Sequence, residues 1–478
     1  MKLSGIKVLS EEEIAKIHNA SLEILSEVGI LIKSKNALEF LQSKGLSVDY
    51  NKSIVKFDQK TVEQSIASTP KEFKVYSMDY SYSFTFGQGN VQRMAAGHNG
   101  LYLYDYKSGK RTSFTKAEVA RFAKLADNLD EVDVVATQSY PQDVNSKSSL
   151  LHGAEALFSS TIKPFLFAPE KDIEIKAIIE MIKIVGGKDD IKNKPIGLVQ
   201  FSPSSPLFWN TQTIDGFITI AKEGFPCVIL PGVLAGATAP YSIAGALVQK
   251  NAEILAGITI GQLVNKGTPL MYRNGGNRLE MRKGVNILGT PESFLFCIAG
   301  NQMAQYYQIP THGATPDSDS PTMDEQTAIE NMFSLLSGFE SGTDLMVNVG
   351  MFGSGKVSSY EQAVIDNEMV KLIRRYKGGI EVSEKSLMVD AIKRVGPLGN
   401  YLGDISTLEN LKSDEFTESD LLNRSELQIW VQDGCKTIID NANIKAEKLL
   451  LNEIRTALDG DRAKGVKEVI DKFEKDYK

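Results

Sequence analysis

Short apolar runs recur along the chain from about residue 132, and amphipathic helical segments separate most of them. Runs that are apolar on both faces and alternate with helices are typical of parallel strands in βα units. Successive runs begin between 30 and 42 residues apart, a spacing that fits one strand and one helix each. The seven runs are VDVVATQ (132–138), PFLFAP (164–169), IGLVQF (196–201), PCVILPG (226–232), TPLMYRN (268–274), IPTHGA (309–314) and LMVNVG (345–350).

The segments between these runs carry helix signals. The stretch 171–187 has apolar residues at helical spacing and ends in Gly-Gly. Thr322-x-x-Glu325 and Ser358-x-x-Glu361 have the form of capping boxes, which would open helices after the sixth and seventh strands. Seven such units predict an α/β fold, a TIM (β/α)8 barrel whose eighth strand the pattern does not assign. A doubly wound open sheet is the alternative arrangement.

The two ends of the chain differ from this repeat. Helical patterns at 10–28 and 36–44 precede the β-like segments FKVYSM, YSFTFG and LYLYDY, whereas the last residues are charged and helical. We therefore expect an α+β N-terminal extension over residues 1–115, the barrel over 116–434 and a C-terminal helical tail over 435–478. The tail is expected to pack on the barrel or on a neighbouring subunit.

Composition narrows the class of protein. The chain has 478 residues, 42% hydrophobic and 24% charged, with a net charge of −7, so clustered positive charge for nucleic acid or an anionic membrane is not expected. We see neither a signal peptide nor a run of ~20 apolar residues. Cys227, Cys297 and Cys435 are odd in number and far apart, which indicates a reducing compartment. The chain is predicted to be cytoplasmic.

In a TIM barrel, catalytic groups lie at the C-terminal ends of the strands. Those positions hold no carboxylate pair, no Ser or Cys beside a base and no His or Cys cluster, so neither an acid–base residue nor a metal site is expected. Polar and mostly neutral groups remain, together with one Arg and several aromatic residues, which suits a compact polar or cationic ligand. The predicted substrate-binding residues are His98, Asn99, Tyr102, Tyr104, Tyr140, Phe201, Tyr272, Arg273, His312, Asn348 and Phe352.

Two roles are assigned within this set. Arg273 could bind a carboxylate with two parallel hydrogen bonds, and the aromatic rings could receive a quaternary ammonium on their faces. The structural alternatives stay open, because such aromatic residues more often belong to the core. His98 could be a turn residue and His312 a core histidine.

The segment Gly350–Lys356 matches G-x-x-x-x-G-K and lies between a strand and a helix. Its next residue is Val357, so the hydroxyl that would bind Mg²⁺ is absent. A glycine-rich loop over the barrel mouth is therefore preferred to a phosphate loop.

Several long segments resemble the trimethylamine methyltransferase (MttB-like) superfamily in the expected order. They are HNASLEILSEVGI (18–30), ALEFLQSKGLSVD (37–49), VKFDQKTVEQSIASTPKEFKVYSMD (55–79), KSGKRTSFTKAEVARFAKLADNLDEVD (107–133) and the segment from GATPDSDSP to DNEMV (313–370). The resemblance implies a TIM barrel that moves a methyl group from an amine to Co(I) of a separate corrinoid protein. Founding members carry pyrrolysine, whereas the region around His312 to Asp317 holds only ordinary residues.

This departure indicates the branch of the superfamily without pyrrolysine, which includes methyltransferases for glycine betaine, proline betaine, carnitine and γ-butyrobetaine. Glycine betaine is preferred. A quaternary amine leaves as a neutral tertiary amine, so no proton donor is required. No bound cofactor is expected, because none of the four His lies in the Asp-x-His-x-x-Gly motif of a resident corrinoid. The corrinoid protein would bind transiently, and a homo-oligomer is possible.

Two alternatives of other classes remain. The chain could be a non-catalytic barrel that binds a betaine or docks a corrinoid protein. It could also be an unrelated TIM-barrel enzyme such as a lyase, which would require an acid–base pair or a metal at the strand ends.

Overall fold

Eight parallel strands form a closed barrel in the computed structural model, which describes residues 5–87, 89, 91–97, 99–187, 191–411, 413 and 415–477. Each strand pairs with the next along the chain. Leu345 of the last strand pairs with Arg93 of the first, and a bridge between Ala95 and Val134 completes the ring. The barrel strands, β1 to β8, are Arg93–Ala96, Val135–Ala136, Phe165–Phe167, Gly197–Phe201, Cys227–Ile229, Leu270–Arg273, Thr311–Ala314 and Leu345–Val349. The predicted TIM barrel is confirmed, and the open sheet is excluded.

All seven apolar runs contain a barrel strand. The strand that the pattern did not assign is β1, Arg93–Ala96, which lies inside the predicted N-terminal extension. Its apolar part is only Met94, Ala95 and Ala96, too short and too small to stand out in the sequence. The barrel therefore begins at Arg93 rather than at residue 116.

A hairpin of Phe73–Tyr76 and Ser83–Phe86 closes the N-terminal end of the barrel. Its inner residues belong to the same buried cluster as the side chains that point into the barrel from the strands. Tyr76 N donates to Pro195 O at 2.9 Å, and Pro195 lies just before β4, so the hairpin is at this end. The hairpin residues in the cluster are Phe73, Val75, Phe84 and Phe86. We call this hairpin the floor.

In the part of the chain that the structure describes, eight long helices surround the barrel, one after each strand. They are Lys116–Asp127, Ser149–Phe158, Asp172–Gly186, Thr211–Lys222, Ile243–Val264, Pro291–Tyr307, Glu325–Ser341 and Tyr360–Lys377. Both predicted capping boxes are wrong by one or two residues. The seventh helix is capped by Asp324, whose side chain accepts a hydrogen bond from Thr327 N. The eighth helix is capped by Ser359 and not by Ser358, because the Ser358 hydroxyl accepts a hydrogen bond from Gln138.

The N-terminal residues form a layer beside the barrel. Helices Glu11–Glu23, Lys35–Ser43 and Gln59–Ser68, with a π-helical turn at Ile24–Val28, accompany a small sheet of Ile30–Ile32, Ser47–Asp49, Ile54–Lys56 and Phe208–Trp209. The first and third of these helices pack against the barrel helix Ile243–Val264.

A second small sheet lies at the C-terminal end of the barrel and is called the cap. Its strands are Tyr102–Asp105, Lys110–Thr112, Met351–Phe352 and Val357–Ser358. Residues 350–356 thus form a strand and a tight turn, and the next helix begins only at Tyr360, so this segment is not a phosphate loop. A three-stranded sheet of Leu234–Ala235, Asn277–Glu280 and Val285–Ile287 lies in the neighbouring loops.

The tail contains the two predicted helices, Ile438–Leu450 and Gly460–Asp476, which pack on the eighth and third barrel helices. Between Lys377 and this tail the described residues form only short helices, Val389–Val395, Ile405–Asn410 and Leu427–Gln432. Several apolar side chains of this segment are almost wholly exposed, among them Leu398, Leu402 and Phe416. No helix in the described ranges is long and apolar enough to span a membrane.

Candidate active site

The polar end of the barrel lumen is its C-terminal mouth. Leu198 and Met271 lie in the cluster inside the barrel, so Gln200 and Arg273, two positions further along the same strands, also point inward. Gln138 follows Ala136 of that cluster in the same way. Above the apolar floor the lumen therefore changes to amide and guanidinium groups.

Arg273 and Asp317 bring opposite charges together at this mouth. The two charges interact, and each favours the ionised form of the other. Burial nevertheless raises the pKa of the Asp317 carboxyl to about 7. The charge of Arg273 and a hydrogen bond from Asn348 lower this pKa, but their effect is smaller than that of burial. Asp317 can therefore change its charge near neutral pH.

Asn348 reaches Asp317 because β8 is irregular at its end. The pairing of β8 with β1 shifts register between Met346 and Val349, and Asn348 has a left-handed backbone with φ of 86°. Its Nδ2 donates to Asp317 Oδ1 at 2.7 Å. The bulge thus turns an amide into the mouth that regular alternation would point outward.

Three polar atoms at the mouth end of the lumen have no hydrogen-bond partner among the described residues. They are Gln138 Oε1, Gln200 Oε1 and Arg273 Nη1, and each is buried from solvent. A buried polar atom without a partner carries a desolvation penalty of roughly 1–3 kcal/mol. Two acceptors and one donor on inward-facing residues are the complement of a ligand with an anionic and a cationic end.

A buried network behind β6 fixes the position of Arg273. Asn274 Nδ2 donates to Asn301 Oδ1 at 2.8 Å and to Thr343 Oγ1 at 2.9 Å. Lys250 Nζ donates to the Asn274 carbonyl oxygen. Gly300 lets the sixth barrel helix approach, because a Cβ there would overlap that carbonyl oxygen.

The cap covers one side of the mouth. Gln138 Nε2 donates to Ser358 Oγ at 2.8 Å, which ties the cap to β2. The thioether of Met351 occupies the space that a side chain at residue 97 would fill, and Met351 is buried there. The cap therefore rests directly on the end of β1.

Beside the cap lies an open cavity of about 550 Å³. Asn99 and Tyr140 line it together with Glu170, Lys171 and Glu174. The Tyr140 hydroxyl donates to Ala168 O at 2.8 Å, and burial raises its pKa. This cavity gives a route from solvent to the rim of the mouth.

The structure brings only part of the predicted set together. Arg273 and Asn348 meet around Asp317, and His312 is fully buried on β7, in register with Arg273. Asn99 and Tyr140 lie at the cavity. His98 lies outside the described residues.

The other aromatic residues are elsewhere. Phe201 and Tyr272 face the helix layer, where Phe201 packs on Phe217 and the Tyr272 hydroxyl donates to Asn251 Oδ1. Tyr104 and Phe352 pack on each other inside the cap, with ring centroids 5.8 Å apart, and Tyr102 is exposed. The expected ring of aromatic faces around a ligand is therefore not what the mouth presents.

Sequence reasoning missed the carboxylate at the mouth. Asp317 lies three residues beyond β7, past the cis bond between Thr315 and Pro316, so a search restricted to strand ends passes over it. Gln138 and Gln200 are at strand ends, but a neutral amide gives no signal of function in a single sequence. No three His, Cys, Asp or Glu side chains of the described ranges are grouped as metal ligands.

Comparison with known proteins assigns the chain. The trimethylamine methyltransferase (MTTB) family profile matches residues 1–477. The chain is 29% identical over 474 residues to the trimethylamine methyltransferase MttB of Desulfitobacterium hafniense (strain DSM 10664 / DCB-2), covering 99% of this chain and 95% of that protein. It is also 29% identical over 460 residues to a glycine betaine methyltransferase of Desulfitobacterium hafniense (strain Y51), covering 96% and 95%.

The fold has a solved counterpart. A monomethylamine methyltransferase (MtmB) of Methanosarcina barkeri superposes with a TM-score of 0.50 at 12% identity, covering 94% of this chain and 96% of that one. At this identity the likeness concerns the fold alone. Together with the match over residues 1–477, it leads to one assignment: the chain belongs to the trimethylamine methyltransferase family and is a methyltransferase.

Proposed function

We propose that the chain transfers a methyl group from a quaternary amine, glycine betaine first, to Co(I) carried by a separate corrinoid protein. The observation that carries the substrate class is Arg273, whose Nη1 is buried in the lumen without a partner among the described residues. A carboxylate would supply the missing acceptor, and Arg binds carboxylates in a planar, bidentate way.

The relatives alone do not choose the substrate, because those named for trimethylamine and for glycine betaine are equally similar to this chain. Trimethylamine has no carboxylate and would leave Arg273 Nη1 without an acceptor. Glycine betaine, proline betaine, carnitine and γ-butyrobetaine all have one. The Arg273 Nη1 without an acceptor therefore supports a betaine as the substrate class, and the ordinary residues at 312–317 agree with the branch without pyrrolysine.

The proposed reaction does not require the protein to transfer a proton. The C–N bond breaks as the methyl group moves to the cobalt nucleophile, and the bond's electron pair stays on nitrogen, so the amine leaves neutral. Arg273 would orient the substrate by its carboxylate, with Asn348 and Asp317 beside it. The lumen walls would exclude water, which would strengthen these contacts. The contacts would in turn hold one methyl group toward the mouth.

His312, Asn99 and Tyr140 remain proposed contacts at the depth and the rim of this site. We propose no resident cofactor, a transient complex with the corrinoid protein, a cytoplasmic location and a homo-oligomer. The odd number and wide spacing of the cysteines support the location, and the exposed apolar side chains between residues 378 and 437 support the oligomer.

The test mixes the protein with reduced cobalamin and each candidate amine and follows methylation of the cobalt by absorbance. We expect turnover with a betaine. Tight betaine binding by calorimetry without turnover would instead identify a non-catalytic binding barrel, and turnover with trimethylamine alone would contradict the substrate proposed.

A further inference from the structure

We infer that the ammonium head of the substrate is held by the amide oxygens of Gln138 and Gln200, and not by an aromatic cage. This inference rests on the proposed function and assigns the second end of the same site. It concerns a quaternary ammonium ion, a cation that has no N–H group to donate.

The predicted aromatic residues do not form a cage for the ammonium group. Phe201 and Tyr272 pack in the helix layer, and Tyr104 and Phe352 pack on each other in the cap. Tyr140 lies at the rim, with its hydroxyl bound to Ala168 O. No pair of these rings encloses the space above Arg273.

The two amide oxygens do face the lumen. Gln138 is 1% and Gln200 is 5% exposed, and neither Oε1 has a partner among the described residues. The bond from Gln138 Nε2 to Ser358 fixes that amide, so its oxygen is held without solvent or protein to satisfy it. A buried polar atom without a partner calls for an explanation, and a bound ligand that supplies the missing contact is one.

Gln200 and Arg273 lie at similar depth in the lumen. Gln200 is in register with Val228, and Val228 with Met271, two positions before Arg273 on the same inward face. Inward residues from alternate strands, here β4 and β6, share a layer of a TIM barrel. An acceptor and a donor therefore lie at similar depth on two strands, β4 and β6, that are separated only by β5.

Neutral oxygens suit a reaction that consumes the charge. The positive charge of a quaternary ammonium is spread over its methyl hydrogens, which make weak C–H···O contacts with carbonyl oxygens. A pair of carboxylates would stabilise the reactant cation more than the transition state, in which the charge is already decreasing. Amide dipoles bind the cation less strongly than carboxylates, so less binding energy is lost when the positive charge decreases in the transition state.

The test compares binding of glycine betaine with tert-butylacetate, which has the same shape and carboxylate but an uncharged head. Wild-type protein should prefer glycine betaine in calorimetry. Gln200→Met and Gln138→Met should each reduce that preference roughly tenfold, with little change for tert-butylacetate. Gln200→Glu should increase it, because a carboxylate replaces the amide at the same place.

Phe201→Leu is the matched control, since it alters the neighbouring residue on the outer face and should leave the preference unchanged. The inference is overturned if both Met variants keep the wild-type preference, or if Tyr140→Leu removes it instead. A wild-type protein without any preference and without methyl transfer would contradict the proposed function as well. Opposite shifts in the Met and Glu variants cannot come from misfolding.

Discussion

Asn348 donates a hydrogen bond of 2.7 Å to Asp317, although the two residues come from different strand ends of the barrel. The bond exists because β8 bulges and Asn348 takes a left-handed conformation. It holds a carboxyl group beside Arg273 in a place where burial resists its ionisation.

The first prediction concerns pH and stability. The pKa of Asp317 is raised from an ordinary 3.8 to about 7 in the folded chain, so the folded state binds this proton more tightly than the unfolded state. Asp317 should therefore lower stability progressively as pH rises from about 4 to about 7. Relative to Asp317→Asn, the wild-type free energy of unfolding should fall by roughly 2 to 4 kcal/mol across that window.

Urea unfolding of both proteins at several pH values measures this difference. Asp366 is the internal control, because its pKa is also raised to about 7 by burial, but it binds Gly350 N outside the lumen. Asp366→Asn should change stability in the same direction without altering amine binding. A difference between wild type and Asp317→Asn that does not depend on pH would contradict the buried carboxyl.

The second prediction concerns the carboxylate of the substrate. Arg273→Ala should raise KM for glycine betaine by roughly 10- to 100-fold, the usual range for a lost charge-assisted hydrogen bond. Tetramethylammonium, which lacks a carboxylate, should be affected much less. Arg278→Ala, which removes a neighbouring Arg paired with Glu280, should leave both KM values near wild type. Equal effects of Arg273→Ala on the two amines would refute the carboxylate contact.

A third prediction tests the network behind Arg273. Gly300→Ala places a methyl group on the Asn274 carbonyl oxygen and should lower the free energy of unfolding by about 1–3 kcal/mol. Gly460→Ala, in a helix where a Cβ meets nothing within 4 Å, is the control and should be neutral or slightly stabilising. Denaturant unfolding of the two variants measures these free energies. A Gly300→Ala protein as stable as the wild type would show that the helix does not approach β6 closely.

The fourth prediction concerns self-association. The segment after Lys377 leaves the barrel at the floor end, where Arg374 donates to Gln92 O just before β1. The proposed corrinoid protein would have to reach the opposite end, so we expect a second copy of this chain to cover the exposed Leu398 and Leu402. Light scattering should show an oligomer that the double variant Leu398→Glu, Leu402→Glu dissociates. A monomeric wild-type protein at micromolar concentration would be the contrary result.

The fold could be predicted from sequence where strands are long and apolar, as β4 and β8 are. Strand β1 could not, because its short apolar stretch of Met and Ala gives no pattern. The position of Arg273 at the mouth could be predicted because this residue ends a strand. Phe201 and Tyr272 were misplaced for a physical reason: strands buried on both faces show no alternation, so the sequence does not reveal which residues face the lumen.

Asp317 shows a second limit. It reaches the mouth through a loop, and its partner Asn348 turns inward only through a bulge. Neither feature follows from hydrophobic periodicity. The amides of Gln138 and Gln200 become informative only when their surroundings show that they lack partners.

The floor has a kinetic consequence. Phe73, Val75, Phe84 and Phe86 fill the N-terminal end of the barrel, so a ligand reaches the lumen from the mouth side. For the transfer proposed here, the same opening must also receive the protein that carries the cobalt. The amine would then have to bind first, and the demethylated product could depart only after the carrier dissociates. Steady-state kinetics should accordingly follow a compulsory order, with excess carrier slowing amine association.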